Sequence, residues 1–346
     1  MPRRAQKNVC LFPDEKKFRA ASHVYGPVPS RRLGFSLGVD ILPYKTCSFD
    51  CVYCQLGRTG RKSGRRGRYF SSRDILRQIK EAIAKNPRID HITFSGSGEP
   101  TLHAGIGDLI RKIKKMTDIP VVVLTNSSLL TRKLVRQALM AADIVVPSLD
   151  AATAASFRRV NRPLPSVRVE DIIAALALFR HEFIGRIWLE VMLVKGINDS
   201  PSDIQALKRA IERIQPDKVQ LNTVVRPPAE KWAQPLSPRA LNKIKKDLGG
   251  RAQVVVDFRS RPGSPAVLDI RRAILSMAER RPVTLEDIIS SLGRKEQEIR
   301  LHLETLLRWQ RISRQKHGGT IYYALPPASM RKNIPPRGSG RDSKNS

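Results

Sequence analysis

The chain has 346 residues, with 63 Lys and Arg against 31 Asp and Glu, for a net charge of +32. With 41% hydrophobic residues it can bury a sizeable core, which excludes wholesale disorder and predicts one large domain with a small appendage. No stretch reaches the roughly 18 consecutive apolar residues of a spanning helix, four Cys do not make a disulfide scaffold, and the charge favours anionic partners without specifying a fold.

The first residues (MPRRAQKNVCLFPDEKK) are broken by charge before a signal-like apolar region forms. The expectation is therefore a protein of the reducing cytoplasm, with no membrane association. Short β-rich runs follow at Leu37–Leu42, His91–Ser95, Val121–Thr125, Ile144–Ser148, Ile187–Val194, Lys218–Asn222 and Gln253–Phe258. Helical patterns lie between them at Arg73–Lys85, Ile106–Met116, Arg132–Ala141, Val169–Phe183 and Asp203–Ile214. Strand, helix, strand at this spacing predicts parallel βα units, which fit an α/β partial (βα)6 TIM-like barrel. A doubly wound open sheet is the competing architecture, and periodicity does not separate the two.

Beyond residue 258 the pattern changes. Arg261–Pro265 reads as a linker, followed by helical patterns at Ala266–Glu279, Leu285–Ser291 and Lys295–Trp309. Strand patterns at Arg311–Gln315 and Thr320–Leu325 flank a Lys316–Gly319 turn, so this region reads as a winged helix-turn-helix. The predicted organisation is an N-terminal extension (1–23), a barrel (24–260), a winged-helix domain (261–325) and a disordered basic tail (326–346).

Three of the four Cys fall within eight residues, as Cys47-Ser-Phe-Asp-Cys51-Val-Tyr-Cys54. Three thiolates on one loop can hold three corners of a cubane iron–sulfur cluster and leave the fourth iron open. A structural zinc site needs four ligands, usually from two separated pairs; no second pair exists, and no spacing recruits His91 or His103.

The C-x3-C-x2-C loop, with aromatic Tyr53 before its third Cys, resembles the signature of the radical S-adenosylmethionine (SAM) superfamily. That resemblance implies a [4Fe–4S] cluster on Cys47, Cys51 and Cys54, with SAM chelating the open iron. Reductive cleavage of SAM to a 5′-deoxyadenosyl radical and hydrogen abstraction from a substrate would follow, with electrons from a donor such as flavodoxin or ferredoxin. Ser95-Gly96-Ser97-Gly98-Glu99 is similar to the superfamily's Gly-Gly-Glu motif, where absent side chains let the backbone approach the methionyl amino group. Asn126 ends the third predicted strand, and by similarity Ser148 and Asp150 sit where the superfamily's ribose contacts come from, although Asp150 also suits an N-cap for a helix at Ala151–Phe157. On the fifth strand Met192 and Val194 are candidates to pack adenine, with plain core packing as the alternative, and Asn222, closing the sixth strand, is a polar top-face candidate. A radical abstraction needs no general base, so no catalytic residue beyond the cluster and SAM is expected.

From Tyr25 to Glu230 the motifs resemble a bacterial radical SAM group related to wyosine-base tRNA synthases, a similarity spanning residues 24–258. Those synthases hold a second cluster on upstream cysteines, and here only Cys10 lies upstream. The same subgroup shades into maturases of metal cofactors. Two substrate classes follow: tRNA or another RNA, or else a peptide, small molecule or metal-cofactor precursor. Arg58–Arg68 carries six basic and no acidic residues, which suits a phosphate backbone of RNA or DNA, as do Lys295, Arg300, Arg308, Arg314, Lys316 and His317 of the predicted winged helix. A reading from another class is an iron–sulfur sensor that binds nucleic acid through the winged helix.

Overall fold

The computed structural model describes residues 22–30, 32–86, 88–255 and 270–326. Cys10, the Arg261–Pro265 linker and the tail after residue 326 lie outside the described residues.

Eight strands form one sheet in chain order: β1 (Val24–Ser30), β2 (Gly34–Val39), β3 (His91–Phe94), β4 (Val121–Thr125), β5 (Ile144–Pro147), β6 (Arg186–Leu193), β7 (Lys218–Thr223) and β8 (Ala252–Val254). β1 runs antiparallel to β2, and every later pair is parallel. A strand order that never reverses means each crossover steps the same way. The sheet is therefore singly wound, and the doubly wound alternative, which requires a reversal at a switch point, is excluded. Among the described residues β1 and β8 are the edges, so the parallel part has seven strands, one for each β-rich run, joined by the six crossovers of the expected six βα units.

The crossovers are α1 (Ser72–Lys85), α2 (Ile106–Lys114), α3 (Lys133–Leu139), α4 (Ala154–Asn161) with α5 (Val169–Glu182), α6 (Pro201–Ile214) and α7 (Pro238–Leu248). Each of α1, α4, α6 and α7 starts where a Ser or Thr hydroxyl accepts the N–H three residues on: Ser71, Thr153, Ser200 and Ser237. In α1 the i, i+4 pair Ile75 and Ile79 is fully buried against the sheet, each side chain contributing about 1.5–3 kcal/mol. Several elements differ from expectation, α7 among them, which none of the five helical patterns anticipated. β1 was not anticipated, and β2 ends at Val39 rather than Leu42 because Asp40 turns the chain, its carboxylate accepting from Leu42 N–H at 3.4 Å.

The C-terminal part comprises α8 (Ile270–Arg280), α9 (Leu285–Leu292), α10 (Glu296–Arg308), β9 (Ser313–His317) and β10 (Thr320–Ala324). Ile274, Met277, Ile288, Ile299, Leu303 and Leu306 make its own core, into which Val28 of β1 also packs. The hairpin turn is two residues, Gly318 and Gly319, both at positive φ, so Lys316 and His317 belong to β9 rather than to the turn. Arg226 pairs with Asp287 at 3.0 Å, and the Tyr322 hydroxyl donates to the Val225 carbonyl at 2.7 Å. These contacts fasten the unit to β1 and to the segment after β7.

Candidate active site

The cysteine loop follows β2, at the carboxyl ends of the parallel strands, where singly wound α/β folds place their sites. It is tied on both sides. Val52 N–H donates to the Val160 carbonyl at 3.0 Å, and Ser63 N–H donates to the Cys47 carbonyl at 2.8 Å. The three half-buried thiols each meet a side-chain N–H donor from a different part of the chain, Asn126 Nδ2 to Cys47 at 3.5 Å, Asn161 Nδ2 to Cys51 at 3.4 Å and Lys45 Nζ to Cys54 at 2.9 Å, and Cys47 also accepts from Phe49 N–H at 3.5 Å. Burial pushes the Cys47 thiol up to about 12 and Cys51 well above its ordinary value. Metal ligation must therefore displace protons from groups that hold them tightly. No three His, Cys, Asp or Glu side chains among the described residues converge as ligands of a single ion. A cubane has the opposite requirement, since each thiolate binds a different iron. Three thiols on one loop therefore suit the three corners of a cubane.

The Ser95–Glu99 segment leaves β3 beside this loop. A Cβ on Gly98 would lie 1.9 Å from the Thr46 carbonyl oxygen, which accepts from Glu99 N–H at 3.0 Å. The close approach that requires glycine is thus made to the residue preceding Cys47. Gly96, at φ +134°, lies against the Asp40 carboxylate. Glu99 is 2% exposed and accepts from Thr101 N and Oγ1, from Thr125 Oγ1 at 2.7 Å and from Asn126 N at 2.6 Å. Its side chain braces the ends of β3 and β4, and Asn126, so held, reaches Ser48 at 2.9 Å as well as Cys47.

Asp150 is likewise committed. At 1% exposed it accepts from the Tyr53 hydroxyl at 2.5 Å, Asn161 Nδ2 at 2.6 Å and Met192 N at 2.9 Å. Burial pushes its carboxyl up to about 6 against these hydrogen bonds. It is not the N-cap of α4, which begins three residues later than expected under Thr153. The Ser148 hydroxyl, half-exposed, has no partner among the described residues. Met192 and Asn222 are register partners on β6 and β7, but Asn222 turns its amide to Glu190 at 2.8 Å. Asn222 thus lies beside Met192, with its amide committed to Glu190 rather than to the hydrogen bonds that link Cys47, Cys51, Tyr53, Glu99, Asn126, Asp150 and Met192. Lys45, Asp40 and Asn161 were not anticipated. Asn161 lies 110 residues from Cys51, and no local pattern joins them.

The Arg58–Arg68 segment is partly pinned rather than freely solvated. Arg58 and Arg162 share Glu230 at 2.7 and 2.6 Å, Lys62 donates to the Arg162 and Pro163 carbonyls, and Arg66 to those of Thr101 and His103. Arg61, Arg65 and Arg68 are exposed and have no ion pair among the described residues. They lie on the segment that leaves the cysteine loop.

The sequence model of the Radical SAM superfamily matches residues 41–210. A protein named GTPase Obg from Brachyspira hyodysenteriae is 36% identical over 311 residues, covering 87% of this chain and 45% of that protein. The chain thus spans less than half of that relative's length, and its 346 residues contain no G-x-x-x-x-G-K-[ST] nucleotide loop. A UPF0026 protein of Helicobacter pylori is 33% identical over 309 residues, covering 87% of this chain and 96% of that protein. A probable dual-specificity RNA methyltransferase RlmN of Thermotoga sp. is 26% identical over 207 residues, 56% of this chain and 57% of the relative. Matched over nearly the full length of a UPF0026 protein, and across the cysteine loop and the strands that surround it, this chain belongs to the radical SAM superfamily, whose enzymes use a [4Fe–4S] cluster and S-adenosylmethionine.

Proposed function

We propose that the protein is a radical SAM enzyme acting on RNA, with Cys47, Cys51 and Cys54 as the cluster ligands. The observation that carries the cluster assignment is the separate N–H donor that meets each thiol, since such hydrogen bonds tune cluster potential. When bound, the reduced cluster and SAM supply a 5′-deoxyadenosyl radical for hydrogen abstraction. The chain's own residues bind and orient. Gly98 lets the Ser95–Glu99 loop lie against the cysteine loop, and Glu99 holds Asn126 at Cys47. Asp150 holds Tyr53, Asn161 and Met192 in place, and Ser148 offers its free hydroxyl to a ribose. Asn222 is assigned to the lumen with Glu190 rather than to SAM. Electrons come from a donor of flavodoxin or ferredoxin type in a reducing cytoplasm. Among the described residues no helix is long and apolar enough to cross a membrane.

RNA is favoured by the exposed Arg61, Arg65 and Arg68 on the segment that leaves the cysteine loop, and by the likeness to a relative named as an RNA methyltransferase. Wyosine chemistry is not proposed, because Cys10 alone cannot hold a second cluster. The C-terminal unit, residues 261–325, is read as a winged helix that docks to the barrel of residues 24–260 rather than entering a groove. Along 295–308 three basic residues meet three acidic ones, and Arg300 is paired with Glu296. His317, expected at phosphates, bonds the Val224 carbonyl at 3.0 Å instead. Ultraviolet crosslinking of the anaerobic holo-protein in cells tests the substrate class. Recovered RNA supports it; DNA points to the sensor reading, and neither points to a small-molecule, peptide or maturase substrate.

A further inference from the structure

We propose that Arg280, the last residue of α8, is a positioning residue for the Ser95–Glu99 loop, so that the C-terminal unit completes the SAM site. This rests on the assignment of that loop to the methionyl end of SAM. Asp40 closes β2, and its Oδ2 accepts from both Ser97 N at 3.1 Å and Ser97 Oγ at 2.5 Å. The carboxylate also lies against Gly96, where a Cβ would come within 2.6 Å of it. Asp40 is buried, and a carboxylate taken out of water needs a counter-charge. Arg280 supplies it from the other unit, with Nε 3.7 Å from Asp40 Oδ2 and a side chain 7% exposed.

A second link runs through Tyr25. The Arg280 guanidinium stacks 5.0 Å from the Tyr25 ring centre, and the Tyr25 hydroxyl is 2.8 Å from Ser95 Oγ. Gly38 makes room for that ring, since a Cβ there would lie 2.0 Å from it. One guanidinium thus reaches both ends of the loop, Ser95 through Tyr25 and Ser97 through Asp40. Its Nε is buried with no hydrogen-bond partner among the described residues, and a shift of a few tenths of an ångström would bring it onto Asp40. A cavity of about 210 Å³ lies alongside, lined by His23, Asp40, Tyr44, Ser97, Glu279 and Arg280 among others. Attachment of the C-terminal unit does not require this arrangement. The apolar contact of Ile274, Met277 and Ile288 with Val28, and the Arg226–Asp287 pair, already provide it. A buried charge adds little to stability, so its place behind the glycine loop is better explained by what it holds.

The test uses the full-length protein with its cluster reconstituted anaerobically, comparing wild type with Arg280→Met, Arg280→Lys, Asp40→Asn and the double variants. Three quantities are read: iron per chain with melting temperature, SAM affinity by equilibrium dialysis, and the change in the electron paramagnetic resonance spectrum of the reduced cluster on adding SAM. Arg280→Met and Asp40→Asn should each weaken SAM binding about ten-fold, roughly 1.4 kcal/mol, with iron content unchanged. The double variant should be no weaker than the worse single, and Arg280→Lys should recover most of the loss. SAM affinity within two-fold of wild type in Arg280→Met overturns the proposal. Should that variant unfold the C-terminal unit, Asp40→Asn decides, and SAM affinity within two-fold of wild type in that folded variant overturns the proposal. A wild-type protein that binds no SAM overturns instead the assignment of the loop.

Discussion

Replacing Gly98 by Ala tests how the two loops of the site are joined. The added methyl carbon would sit 1.9 Å from the Thr46 carbonyl oxygen and 2.8 Å from its carbon, both backbone atoms with no rotamer to escape into. To reach an ordinary contact the strands of the bridge must part by more than 1 Å, which breaks the Glu99 N–H to Thr46 carbonyl bond. Overpacking of this kind costs about 1–3 kcal/mol and the lost hydrogen bond about 1 more, so the variant should lose about 2–4 kcal/mol and melt roughly 4–10 °C lower. Because Thr46 precedes Cys47, the same shift moves the first cluster ligand. Iron and sulfide per chain after anaerobic reconstitution should fall well below the wild-type value. Gly60→Ala serves as the control, since its Cβ meets nothing within 4 Å. Wild-type iron content and an unchanged melting temperature in Gly98→Ala would refute the close approach.

Further outcomes follow from the same geometry. His103 is fully buried, and burial lowers its pKa from 6.5 to about 4, with Arg68 and Arg66 acting in the same direction. The unfolded chain then binds the proton first, so stability is complete above pH 6.5 and falls by about 3 kcal/mol as pH drops towards 4. Chemical denaturation of wild type and His103→Gln across that range should give curves that converge at low pH; parallel curves would contradict the burial argument. Replacing Arg61, Arg65 and Arg68 together by Ala should reduce the slope of log affinity for tRNA against log salt by roughly 2–3, measured by fluorescence anisotropy, while SAM cleavage without RNA is retained. An unchanged slope removes these arginines from the RNA surface. Asn161→Ala removes the donor to Cys51 and should move the cluster's reduction potential to a more negative value, because N–H donors stabilise the more negative reduced state. A potentiometric titration that overlays wild type would show that this donor does not act on the cluster.

What could be read in the sequence was whatever the chain keeps local. The three cysteines proposed as cluster ligands lie on one loop, and β4 falls on the predicted Val121–Thr125 because five apolar and β-branched residues stand between turn signals. β1 was hidden because Val24–Ser30 contains two prolines and a glycine, which suit an antiparallel edge strand but erase the alternation. α7 carries Leu241, Ile244 and Leu248 on one face after a Ser-Pro start, yet its lysines mask the pattern. The roles of Glu99 and Asp150 were only half legible. Their positions at strand ends were clear, but Thr125 and Asn126 for Glu99, and Tyr53 and Met192 for Asp150, come from 26 to 97 residues away. Arg280 and Asn161 gave no signal at all, since their partners lie on other elements.

The central claim is that Cys47, Cys51 and Cys54 hold a cluster that works on SAM. The protein and its three single Cys→Ala variants, reconstituted anaerobically and reduced with dithionite in the presence of SAM, should be compared by chromatography for 5′-deoxyadenosine. Wild type should form it, and each variant should form none while keeping its secondary structure. Cleavage retained in any variant, or absent from a wild-type preparation whose cluster spectrum is intact, would contradict the account.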